Sequence, residues 1–102
     1  MKQRFNASQI SKVIDQALVY QCACPAQVCG AIFELRELYE YQMNCVTDSA
    51  NDEQVHNTIA IATEKAHEIM EACLSEILEI EGWDKVSFAM PEALKKKKAK
   101  TI

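Results

Sequence analysis

The longest regular pattern in the chain lies in residues 52–81, which read DEQVHNTIAIATEKAHEIMEACLSEILEIE. Apolar residues recur through it in steps of mostly four and three, which is the spacing of one helix face. These positions, called here the α3 stripe, are Val55, Ile59, Ala62, Ala66, Ile69, Cys73, Ile77 and Ile80. The pattern predicts a single helix of about 45 Å with the stripe on its core face.

The sequence carries a start signal and a stop signal for this helix. Ser49 lies three residues before Asp52, at capping-box spacing, and Gly82 is the residue type that most often ends a helix in the left-handed conformation. The other segments are therefore expected to pack along one long rod.

Composition and turn signals predict an all-α fold. The chain has 102 residues with only 2 Gly and 2 Pro, too few for the turns of an all-β domain. The pattern predicts a bundle domain over residues 1–94, with a packed extension after its last helix and a basic disordered tail at 95–102. The expected segments are helices at about 9–21, 25–46 and 50–81, and the extension at 83–94. Short connections favour an up-down bundle of three helices.

The lengths of the helices predict that the bundle is incomplete. The first helix covers only the part of the third near residues 62–75. At the other end, Leu38, Tyr39, Val55 and Ile59 have only two helices to shield them from water, and two helices cannot enclose a core. We therefore expect a homodimer with these four residues in its interface.

Charge is distributed unevenly along the chain. Residues 95–102 hold five lysines, whereas residues 1–94 hold fifteen acids and six bases, a net charge of about −9. An acidic body repels phosphate, so nucleic acid is not an expected partner except through weak contact with the tail. An uncharged interval at 16–33 is broken by glutamines and Pro25, so no membrane span is expected. With five cysteines and no export signal, the sequence favours a cytoplasmic protein with reduced thiols.

The cysteines form the first candidate site. Cys22, Cys24 and Cys29 are close in sequence, and an antiparallel turn near residue 49 brings Cys73 to the same level. Thiolates bind thiophilic metals such as zinc, copper or an iron–sulfur cluster, and can also serve in redox sensing. Their spacing is not that of common zinc knuckles, and free cysteine is often a packing residue, so the packing interpretation stands beside the metal one.

Two Glu-x-x-His spacings form the second candidate site. Glu53 with His56, and Glu64 with His67, each place a carboxylate and an imidazole on one helix face. The two histidines are about 16 Å apart along one helix, so a shared metal requires an antiparallel partner helix. Solvated or interfacial histidines are the simpler reading.

No motif identifies an enzyme. The sequence favours a small non-enzymatic interaction or assembly protein that forms a homodimer, with an unidentified protein partner also open. The alternatives are a thiol-based metal-binding or redox-sensing protein and a carboxylate–histidine metalloprotein.

Overall fold

A computed structural model describes residues 1–19 and 23–95, without the side chain of Ala23. Its helices are α1 (Ala7–Val19), α2 (Ala23–Asn44) and α3 (Ala50–Glu81). The described residues contain no strand and form a rod of 58 × 23 × 18 Å. The predicted all-α class is confirmed, and the arrangement agrees with a three-helix bundle whose third helix is the longest.

The helix ends follow from local capping. Asn6 and Gln9 form a reciprocal pair, because each backbone N–H donates to the other side chain, at 2.9 and 2.8 Å. α1 therefore begins two residues before the predicted start. The Ser49 hydroxyl accepts from the N–H of Asp52 at 3.2 Å, and Gly82 has a φ of 82°. Both predicted signals of the long helix are confirmed.

α2 differs from its predicted bounds at both ends. It begins at Ala23, because Pro25 is tolerated within the first turn, where a backbone N–H has no helical partner. It ends at Asn44, two residues before the predicted end. The predicted end of the first helix at residues 20–21, Cys22 and the tail beyond Lys95 lie outside the described residues.

α2 is the central element, since it packs against both α1 and α3. The core lies at one end of the rod, where α1, the first half of α2 and the second half of α3 meet. It consists of Phe5, Ile10, Val13, Ala17, Cys29, Ile32, Leu74, Leu78, Trp83, Phe88 and Met90. The opposite end is formed by α2 and α3 only.

The segment after α3 returns to this core. Trp83, Phe88 and Met90 are buried, and the N–H of Met90 donates to Gln16 Oε1 of α1 at 3.1 Å. Val86 instead lies at the tip of a turn and is 91% exposed.

The core face predicted for α3 is wrong for most of the stripe, of which Ile77 is half-buried against the core. The residues that α3 buries are Ala60, Thr63, His67, Glu71, Leu74 and Leu78. Stripe residues Val55, Ile69 and Ile80 are instead 55%, 66% and 75% exposed. The reason is that Leu74 and Leu78 offer a second helical spacing of apolar residues, and hydrogen bonds compensate the burial of His67 and Glu71 beside them.

Candidate functional site

A buried ionic network joins the middle of α2 to α3. Arg36 Nε donates to His67 Nε2 at 3.0 Å, and Arg36 Nη2 donates to Glu71 Oε2 at 3.1 Å. The side chains of Arg36, His67 and Glu71 are only 12%, 1% and 6% exposed. A charge pair this deeply buried is stabilising only when its remaining hydrogen-bonding groups are also satisfied.

The N-terminal residues supply much of that satisfaction. Residues 1–5, called here the strap, cross α2 and α3 as irregular chain. Glu71 Oε2 accepts from the N–H of Arg4 at 2.7 Å and from the N–H of Phe5 at 3.0 Å. Arg36 Nη2 donates to the carbonyl oxygen of Phe5. One carboxylate thus holds two backbone donors and one guanidinium.

His67 is neutral in this network. Its Nε2 accepts from Arg36, so its proton lies on Nδ1, which faces Glu71 Oε1 at 3.5 Å. Burial lowers the pKa of His67 below its usual 6.5, with Glu71 opposing this shift and Arg36 adding to it.

Tyr39 and Glu64 extend the network along the rod. The hydroxyl of Tyr39 donates to the Glu64 carboxylate, and this bond is the main cause that raises the pKa of Tyr39. Tyr39 therefore lies on the network side of α2. Glu64 and His67, the second predicted ligand pair, both line a cleft of about 800 Å³ between α3 and the strap.

Glu53 and His56, the first predicted pair, lie near the turn between α2 and α3. They line a cleft of about 440 Å³, where His56 Nδ1 is 3.4 Å from the Thr47 hydroxyl. Gln42 borders the same cleft, and its buried Oε1 has no hydrogen-bond partner among the described residues.

The predicted thiol residues have different surroundings. Cys24 is exposed, Cys29 is in the core, and Cys73 is half-buried. Burial raises the pKa of Cys29 to about 11. Cys22 falls in the part of the chain that the structure does not describe. Within residues 1–19 and 23–95, no three His, Cys, Asp or Glu side chains form a group that could hold a metal ion. The thiol and Glu-x-x-His sites stay predictions.

The α3 stripe lies on the side of the α2–α3 contact opposite the network. At about 100° per residue, every stripe position is roughly 160–240° around α3 from Glu71. Leu38 is about 200° around α2 from Arg36, so it faces the same way as the stripe. Together with Ala31, Leu35 and Leu38, the stripe forms what we call the open face.

The α3 part of the open face is apolar throughout. Between residues 55 and 80, every α3 position in this sector is apolar. Leu38 is exposed, and Leu35, Ile59 and Ala66 are half-buried at the seam between the helices. The α3 part of this face can contact a partner without burying a charge.

Sequence reasoning missed Arg36 and Glu71. Arg36 is the only basic residue of α2, and Glu71 follows His67 by one helical turn. These were the available signals, but nothing local shows that the two side chains meet.

Comparison of the chain with protein-family models, curated proteins and solved structures finds no match. In the described part of the chain, no helix is both long enough and apolar enough to cross a membrane.

Proposed function

We propose that this protein is a non-enzymatic assembly module that acts as a homodimer, with the open faces of two copies packed together. The observation that carries this proposal is that the most regular apolar stripe in the sequence lies opposite the ionic network and leaves Val55, Ala62, Ile69 and Ile80 exposed. A continuous apolar surface of this kind on a soluble domain is typical of a binding site.

A second copy fits this face for two reasons. The first is charge: the α3 part of the face is uncharged while the body is acidic, so only an uncharged contact avoids opposing like charges at close range. The second is size. α2 has 22 residues, or about 33 Å, and two adjacent helices are about 20 Å wide, which gives an area on the order of 700 Å². Stable interfaces bury about 600–1,000 Å² of each partner, so an area of this size is sufficient.

Two such faces pack as a four-helix bundle, with α2 and α3 from each copy. This arrangement covers Leu38, Val55 and Ile59, three of the four residues predicted for the interface. Tyr39 stays on the network side and supports the contact only through its own helix.

Sedimentation equilibrium of two matched variants tests the proposal. Ile59 lies on the open face, and Ile61 is an exposed isoleucine on the network side of the same helix. At micromolar concentration we expect wild-type protein and Ile61→Glu to have twice the 11.5 kDa chain mass, and Ile59→Glu to have the chain mass alone. A wild-type protein that is monomeric, or a dimer insensitive to Ile59→Glu, contradicts it.

A further inference from the structure

The strap is held as a bound peptide would be. Its contacts with the ionic network use only the backbone of Arg4 and Phe5. Its single core side chain is Phe5, whose ring meets Phe88 edge to face with 6.0 Å between centroids. Backbone hydrogen bonds together with one anchored aromatic side chain are a common mode of peptide recognition.

The site that holds the strap, called here the seat, consists of Arg36, Glu71 and the residues around the Phe5 ring. The strap leaves part of it unused. Arg36 Nη1 is buried and has no hydrogen-bond partner in the described part of the chain. A buried guanidinium N–H without an acceptor is costly, so Arg36 Nη1 is a donor group that the strap leaves unused.

Space is left over as well. A cavity of about 170 Å³ opens beside the Phe5 ring, between Leu78, Trp83 and Phe88. Because this cavity adjoins the Phe5 ring itself, a larger aromatic side chain in the same position extends into it.

We infer that this seat binds an extended peptide segment of another protein, one that carries a bulkier aromatic side chain and an additional acceptor for Arg36, in competition with the strap. Glu71 binds the N–H groups of the segment, and Arg36 binds its carbonyl oxygen and the extra acceptor. The aromatic side chain fills the cavity beside Phe88. The strap acts as an autoinhibitory occupant. A second copy's strap fits less well, because it would leave the same donor and the same cavity unused.

Competition binding tests this inference with two labelled hexapeptides, KQRFNA, which is the chain's own sequence from residue 2 to 7, and KQRWNA. The full-length Phe5→Ala variant weakens the strap. Arg4→Pro serves as a second variant, since it removes one N–H donor to Glu71 and leaves every core side chain in place. Circular dichroism checks that both variants are folded.

We expect fluorescence anisotropy to show KQRWNA binding both variants about tenfold more tightly than wild-type protein, and about tenfold more tightly than KQRFNA binds them. Glu71→Gln in the Phe5→Ala background should abolish binding. Glu68→Gln is the matched control, because Glu68 lines the same cleft and is exposed.

Failure of KQRWNA to bind either folded variant overturns the inference. Equal or tighter binding of KQRFNA also overturns it, in favour of strap exchange between copies. The seat lies opposite the open face, so the dimer mass should be unchanged in these variants, and the two proposals fail separately.

Discussion

On one side of the α2–α3 contact, Arg36, His67 and Glu71 are polar or charged and almost completely buried; on the other, Val55 and Ile69 are aliphatic and more than half exposed. This reverses the usual distribution in a soluble helix. The polar side is satisfied within the chain, because the strap and Arg36 provide its hydrogen bonds. The apolar side has no such partner within the described chain, and we infer that its partner is a second copy.

Removing Glu71 should lower the free energy of unfolding more than any of the changes that follow. Glu71→Ala removes the carboxylate that pairs with Arg36 and leaves the N–H groups of Arg4 and Phe5 without their acceptor, and breaking a buried pair in this way costs about 3–5 kcal/mol. Urea unfolding measures the loss. Glu68→Ala, on the same helix but exposed, should change the free energy of unfolding by less than about 0.5 kcal/mol. Equal effects of the two changes would show that the network does not hold the strap.

Substitutions of Leu74 and Ile69 compare the core-facing surface of α3 with its open-face surface. Leu74→Ala creates a cavity in the core and should cost about 2–5 kcal/mol at any protein concentration. Ile69→Ala should cost little in dilute protein and more as the concentration rises, because Ile69 is covered only in the dimer. Thermal unfolding over a hundredfold range of concentration distinguishes them. A concentration-independent loss for Ile69→Ala contradicts this prediction.

Lowering the pH should reduce the stability that comes from the polar side of the α2–α3 contact. The pKa of His67 is lowered on folding, so the unfolded chain takes up a proton near pH 6.5 while the folded chain does not. The stability that comes from neutral His67 is therefore complete above about pH 6.5 and is lost as the pH falls toward the folded pKa. Urea unfolding at pH 7.5 and 5.5 should show this loss in wild-type protein and in His56→Gln. The His67→Gln variant should lose less stability over the same pH interval.

The last prediction concerns the thiols and involves no substitution. The rate at which each thiol is labelled reports how exposed it is. Cys24 should react rapidly with a thiol reagent, and Cys29 should react only on unfolding, since it is buried and its pKa is about 11. Cys73 lies on the open face, so its labelling rate should fall as the dimer forms. Mass spectrometry of labelled peptides measures all three rates. A Cys73 rate that is constant with concentration would place the interface elsewhere.

The extent of α3 could be predicted from the sequence because its signals are local. Ser49, Gly82 and an uninterrupted run between them determine where the helix begins and ends. The shortage of helical cover near Val55 was likewise predictable from segment lengths.

The orientation of α3 about its axis was not predictable. Periodicity identifies the stripe as one face, but Leu74 and Leu78 mark a second one, and the choice depends on contacts between residues distant in sequence. Arg36 and Glu71 are 35 positions apart, and the strap reaches Glu71 from 67 positions away. Apolar spacing alone carries no information about such polar contacts.

The central claim is that the open face, and not the network side, is covered by a second copy. Hydroxyl-radical footprinting of Ile69 and Ile61 in the same wild-type sample tests it most directly, since both are exposed isoleucines of α3 and Ile61 lies about 80° around the helix from Ile69, outside the open face. As concentration rises through the dimerisation range, we expect labelling of Ile69 to fall severalfold while labelling of Ile61 stays constant. Constant labelling of Ile69, or protection of Ile61 instead, would contradict the account.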